Sequence, residues 1–186
     1  MGGMIAQEIA LSFPDRTRCL VLAATNGGFR SALPLSEDVT ARFAKAADLP
    51  VEERVRELSE LFYASTTSRT EIDIDNAVRN TWPTSSEGYE NQLRGAMSWG
   101  RFDDLPTLGV PTLVLAGEAD MVVPPENSRA LAAAIPGAGL ALVAGAGHQV
   151  FTDQERAAAG LVIDFLSGVD DAGLPADRGV IPGARL

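Results

Sequence analysis

The chain has 186 residues, 46% of them apolar and 22% charged, and 15 basic against 25 acidic side chains give a formal net charge of −10. That length suits a single domain of ordinary size, and the acidic balance speaks against nucleic acid or anionic membrane as a partner, since both require a basic face. One cysteine, Cys19, excludes an intrachain disulfide framework, and with one histidine it leaves nothing from which to build a zinc site.

The opening residues Met1-Gly2-Gly3-Met4-Ile5-Ala6 lack the serine or threonine of a myristoylation signal, and Glu8 arrives too early for a signal peptide. A soluble, cytoplasmic protein is therefore expected. Gly2 to Phe13 is apolar on most faces and stops at Pro14, which predicts a buried helix. Arg18 to Ala24 reads as a short strand closed by Asn26-Gly27-Gly28. Cys19 lies in that apolar run and reads as a buried structural thiol rather than a nucleophile. A helix followed by a short buried strand is the rhythm of an α/β protein.

From about Arg30 to Leu105 the pattern is helical throughout. Pro50 opens a helix whose Val51, Val55, Leu58 and Leu61 or Phe62 recur at helical spacing, and Tyr89, Leu93 and Met97 repeat the pattern later. Polar loops, Thr66 to Thr70 and Thr84 to Gly88, separate the stripes. The region reads as a small helical subdomain inserted between two strands. Phe62, Tyr63, Trp82 and Trp99 are expected to pack it, the alternative being that one of them touches substrate.

After Leu105 the α/β rhythm returns. Val110-Pro111 leads into a strand, Thr112 to Ala116, and then a loop through Asp120 to Pro124. Pro125 opens a helix whose Leu131, Ala134 and Ile135 precede Pro136-Gly137. Leu140 to Val143 is a short strand followed by Gly145-Ala146-Gly147-His148. Thr152-Asp153-Gln154-Glu155 matches a capping box at the start of the last helix. Leu161, Val162, Phe165 and Leu166 supply that helix with an apolar face, and Gly168 ends it. Val169 to Leu186 has little periodicity and is expected to be mobile.

His148 is the only histidine, so it alone could carry imidazole acid–base chemistry near neutral pH. Two loops that follow successive strands present Asp120 and then His148, and in open α/β sheets chemistry gathers at the carboxyl ends of the strands. The separation is what one helix and one strand consume. Asp120 could thus accept a hydrogen bond from one ring nitrogen and leave the other free to act as a base. Glu118 is a nearby competitor for the acid role.

These stretches together resemble the carboxyl-terminal part of an α/β-hydrolase of the small esterase, enol-lactonase and haloperoxidase-like group. Leu115-Ala116-Gly117-Glu118-Ala119-Asp120-Met121-Val122-Val123-Pro124 resembles the family's acid loop. Gly147-His148 with Phe165-Leu166 resembles its histidine loop and last helix, and Leu33 to Trp99 its helical cap. Met1-Gly2-Gly3-Met4-Ile5-Ala6-Gln7-Glu8 resembles the segment just after the nucleophilic serine of a Gly-x-Ser-x-Gly-Gly elbow. The resemblance implies a partial α/β-hydrolase fold, the last three strands with flanking helices, plus an inserted helical cap. Its division would be 1–29 and 106–168 for the core, 30–105 for the cap and 169–186 for the tail.

The resemblance further implies ester or lactone hydrolysis without a cofactor, or a perhydrolase-type activity of the same triad. Asp120 and His148 would be catalytic, and the backbone N–H of Met1 would be an oxyanion donor. The serine, its strand and the preceding oxyanion loop would lie upstream of residue 1. Ser12, Ser128 and Cys19 all lack the elbow geometry of a replacement nucleophile. The chain alone is therefore expected to be inactive on a small-molecule ester or lactone. The other reading is a non-catalytic remnant or partner-binding module, self-associating or docking through the open edge of its first strand. A separate polypeptide completing the site in trans is a third.

Overall fold

A computed structural model describes residues 1–169 except 48 and 83. The sheet is built on one strand, β2 (Thr112–Gly117), which is buried at every position. On one side it pairs in parallel with β1 (Leu20–Ala23), with Leu22 opposite Val114; on the other it pairs in parallel with β3 (Gly139–Val143), with Val114 opposite Leu140. Side chains alternate across a strand, so this register sorts them into two faces. Leu20, Leu22 and Val114 pack with Ala10 of α1 (Gly2–Ser12) and with Leu131 of α6 (Pro125–Ala134). Leu113, Leu115, Ala141 and Val143 face the opposite way, against Ala158, Leu161, Val162 and Phe165 of α8 (Glu155–Gly168). The result is a three-layer α/β/α sandwich in which a wholly buried strand occupies the middle.

Among the described residues four α-helices lie between β1 and β2, α2 (Glu37–Ala47), α3 (Val51–Phe62), α4 (Arg69–Thr81) and α5 (Ser86–Ser98), followed by a 3-10 helix, Phe102–Thr107. They gather a third apolar cluster, Val39, Ala46, Leu58 and Leu61, against which Phe43, Phe62 and Val122 pack. Val122 belongs to the loop after β2. Pro50 caps α3 as the sequence predicts. The start of α4 does not follow the sequence reading. It falls inside the stretch taken as a polar loop, and its signal is a capping box in which Ser68 accepts from Glu71 N–H while the Glu71 carboxylate accepts from Ser68 N–H.

Several expectations need correction. α1 is not buried all round: Gln7 and Ala10 are buried, whereas Ile5, Ile9 and Phe13 are about half exposed. The sheet covers one side of this helix, and no described residue covers the other. Cys19 is only half-buried, just ahead of β1. The Thr152–Glu155 capping box does not form. Thr152 lies inside the short helix α7 (Val150–Asp153), and α8 starts after Gln154 without a side-chain cap. Leu166 is exposed, while its three companions pack. Leu93 and Met97 are about half exposed because their face of α5 borders open clefts. Trp82 is 81% exposed, whereas the Trp99 indole N–H reaches the Glu8 carboxylate at 2.9 Å. Apart from Val169, which is buried, the expected tail lies outside the described residues.

One contact closes the insertion back onto the sheet. Gly28, beyond β1, forms an antiparallel bridge with Gly100 and has a φ of +122°. A Cβ there would overlap the Gly100 backbone and lie 2.8 Å from the Trp99 carbonyl oxygen. Gly28→Ala is expected to destabilise the chain by about 1–3 kcal/mol through left-handed strain and overpacking. Gly95→Ala, in α5 with nothing near its Cβ position, should instead stabilise by about 0.4–1 kcal/mol. Urea denaturation of the two variants checks the opposite signs.

Candidate active site

Parallel pairing brings the carboxyl ends of all three strands to one edge of the sheet, and the loops after β2 and β3 meet there. Two backbone bonds extend the ladder into the loops, Glu118 N–H to Val143 O at 3.1 Å and Ala119 N–H to Ala146 O at 2.9 Å. The approach is so close that a Cβ on Gly117 would overlap the carbonyl oxygens of Ala146 and Gly147. Gly117 is thus the residue that lets the histidine loop lie across the end of β2.

Asp120 is 3% exposed and divides its work between its two oxygens. Oδ1 accepts from the backbone N–H groups of Val122 and Val123, both at 2.8 Å, and so fixes the carboxylate to its own loop. Oδ2 lies 2.9 Å from His148 Nδ1. An ionised carboxylate only accepts, so the hydrogen of this contact is on Nδ1, and in the neutral ring the lone pair is then on Nε2. Nε2 has no hydrogen-bond partner among the described residues. Glu118 is exposed, and Asp120 rather than Glu118 meets the ring.

A third group sets the imidazole plane. Phe62, at the end of α3, meets the His148 ring edge-on with centroids 5.4 Å apart, and its carbonyl accepts the Gln149 N–H at 2.8 Å. Sequence reasoning gave Phe62 a packing role without linking it to the histidine. Helical spacing shows which residues share a face, and nothing in it shows where the end of α3 lands.

Met1 precedes α1 on the same edge of the sheet. Gly3 abuts Thr25 just beyond β1, and Gln7 donates to the Asn26 carbonyl at 3.0 Å. Burial holds the pKa of the Met1 amino group below its usual value, although the residue as a whole is half exposed. No hydrogen bond or ion pair joins Met1 to Asp120 or His148 among the described residues. The other residues considered as nucleophiles stand apart. Ser12 donates to Glu8 at 2.8 Å, Ser128 is buried within α6 without a partner, and Cys19 precedes β1.

One cleft reaches Asp120, and a second cavity lies among the helices of the insertion and Val122. A cleft of ≈ 950 Å³ runs past Asp120, Met121 and Pro124 to Tyr63 and Thr67. A more apolar cavity of ≈ 500 Å³ lies among Leu35, Phe43, Leu58, Leu93 and Val122. Among the described residues no group of three or more His, Cys, Asp or Glu side chains is disposed to hold a metal ion, and no helix is long and apolar enough to cross a membrane. Gly117→Ala should cost about 1–3 kcal/mol, because the loop carbonyls are backbone atoms that cannot rotate away. Thermal denaturation of this variant beside wild type gives the measurement, and an unchanged Tm would mean that the two loops are not in contact.

The family model described as "Serine aminopeptidase, S33" matches residues 1–155. The poly(3-hydroxyalkanoate) depolymerase of Ectopseudomonas oleovorans is 31% identical over 168 residues, a span covering 89% of this chain and 58% of that protein. The polyketide synthase ThaQ of Burkholderia thailandensis is 33% identical over 185 residues, which cover 89% of this chain but 8% of that much longer protein. The solved enol-lactonase of Burkholderia xenovorans LB400 superposes with a TM-score of 0.72 at 25% identity, over 90% of this chain and 63% of that one. The chain thus spans less than two thirds of the length of these relatives. With a parallel α/β sheet, a matching family model over most of its length and relatives of this kind, the chain belongs to the α/β-hydrolase family.

Proposed function

We propose that the chain carries the acid–base pair of an acyl-transfer site that hydrolyses ester or lactone bonds. The observation that carries this reading is the 2.9 Å contact between a buried Asp120 oxygen and His148 Nδ1, which leaves Nε2 available. Nε2 takes the proton of a serine hydroxyl as its oxygen adds to the substrate carbonyl. Asp120 stabilises the resulting imidazolium, and the same proton then passes to the departing alkoxide. A water molecule repeats the sequence on the acyl-enzyme. We place the serine outside residues 1–186, because no serine or cysteine among the described residues meets Nε2, and we assign the Met1 backbone N–H to the oxyanion.

The helices between β1 and β2 act as a cap in this reading, and residues 1–29 with 106–168 as the core. The apolar cavity under the cap suits a neutral organic substrate. The relatives' names, a polyester depolymerase and an enol-lactonase, support the same bond class. Residues 1–186 alone should hydrolyse p-nitrophenyl acetate no faster than the His148→Ala variant does. A clear His148-dependent rate would show a nucleophile within these residues and overturn the placement of the serine.

A second reading rests on a separate observation. Met1, Ile5, Ile9 and Phe13 recur at four-residue spacing along α1 and its two caps, each 49–56% exposed, and among the described residues β1 pairs with β2 alone. We infer that this face docks further polypeptide, either a second copy of the chain or strands that extend the sheet from β1. Light scattering over a rising concentration series should show self-association that Ile5→Glu combined with Ile9→Glu reverses. A monodisperse wild-type monomer throughout the series argues against it.

A further inference from the structure

Asp153 is outside the pair just described, yet its carboxylate collects three donors from both sides of the joint between the helical insertion and the sheet. Oδ2 accepts from Gly147 N–H at 2.6 Å and from Ala64 N–H at 3.0 Å, and Oδ1 accepts the Thr67 hydroxyl at 2.6 Å. One oxygen thereby bridges the backbone before His148 to the backbone just after α3. The peptide on the other side of the histidine is also held by the insertion, since Gln149 N–H donates to Phe62 O at 2.8 Å. The chain therefore cannot turn at His148 without breaking a bond on one side of it or the other. Gly147 itself lies so close that its Cβ position is 3.1 Å from Ala64 N and from the Tyr63 carbonyl carbon.

From this geometry we propose that Asp153 is a positioning residue, which sets the His148 ring against Asp120 by tying the histidine loop to the insertion. The proposal rests on His148 being the working base. It adds that the ring is placed only when the insertion is seated, so that cap position and base geometry are coupled. A carboxylate suits this role because backbone and hydroxyl donors bond more strongly to a charged acceptor than to a neutral one. Nearby, Asp75 Oδ2 makes a second link of similar kind, accepting from Thr152 Oγ1 at 2.7 Å and from Tyr63 OH at 3.1 Å. Tyr63 remains a donor there: burial pushes its pKa up to about 12, with Arg79 opposing the rise and Asp75 adding to it. This second link bypasses residues 147–149, and so it provides the control.

With one histidine in the sequence, a two-bond ¹H–¹⁵N spectrum contains one imidazole and reports its tautomer directly. Wild type should show the Nδ1–H form fixed by Asp120. Asp153→Ala should lose that form and give the exchange-averaged signals of a free ring, while far-UV circular dichroism is retained. Asp75→Asn should lower Tm but keep the wild-type imidazole signals. A folded Asp153→Ala with wild-type ring signals overturns the proposal, and so does an Asp75→Asn ring disturbed as much as that of Asp153→Ala. If Asp153→Ala does not fold, Thr67→Val removes a single donor, and an unshifted imidazole in that variant counts against the proposal. A wild-type ring without the Nδ1–H form instead defeats the Asp120–His148 reading on which this one stands.

Discussion

The site depends on β2 being paired in parallel on both sides. A strand with every side chain buried has no solvent-facing register to fall back on, so a one-residue slip would put its large and small side chains opposite the wrong neighbours on both faces. Parallel pairing also forces the ends of β1, β2 and β3 to the same edge. Asp120 follows β2 and His148 follows β3, and the two extra backbone bonds beyond the strands carry that alignment into their loops. The 2.9 Å contact between acid and base is thus set by the sheet register before either side chain chooses a rotamer.

Asp120 then converts backbone alignment into side-chain geometry. A buried carboxylate without partners is costly, and this one has three donors, two from its own loop and one from the ring. The loop N–H groups fix Oδ1 whether or not the imidazole is present. The acid is therefore already oriented when the histidine arrives, and little side-chain freedom remains to be lost in pairing them. The Phe62 ring adds an edge-on contact to the imidazole, whose side chain is 21% exposed.

The sheet and the pair were legible in the sequence because each rests on a local pattern. Apolar runs ending in turn residues mark β1, β2 and β3, and the acid and the base each stand in the loop that follows a strand. Features fixed across long stretches of chain were not legible. Ser68-x-x-Glu71 and Thr152-x-x-Glu155 both fit a capping box, yet only the first forms, because the Thr152 hydroxyl is drawn to Asp75 on another element. Asp153 read as part of that second box for the same reason, and its partners Ala64 and Thr67 lie 89 and 86 residues away. The exposed face of α1 escaped a reading by hydrophobicity alone. A helix with apolar residues on all sides looks buried whether or not something covers each side.

The joint between the insertion and the sheet differs in kind from either part. The insertion keeps an apolar cluster of its own, to which the sheet side contributes Val122, and the sheet keeps two others. Much of what crosses between them is polar and directional: Asp153 to residues 64 and 67, Asp75 to Thr152, Asn127 Oδ1 to Leu33 N–H, and Phe62 O to Gln149 N–H. Apolar burial supplies stability without much preference for exact position, whereas a hydrogen bond contributes only about 0.5–1.5 kcal/mol net but demands correct geometry. A joint of this composition fixes where the insertion sits more firmly than it resists being opened. Several of these links end within five residues of His148. The cost of lifting the insertion therefore falls most directly on the loop that carries the base, while the Asp120 carboxylate keeps the two N–H donors of its own loop.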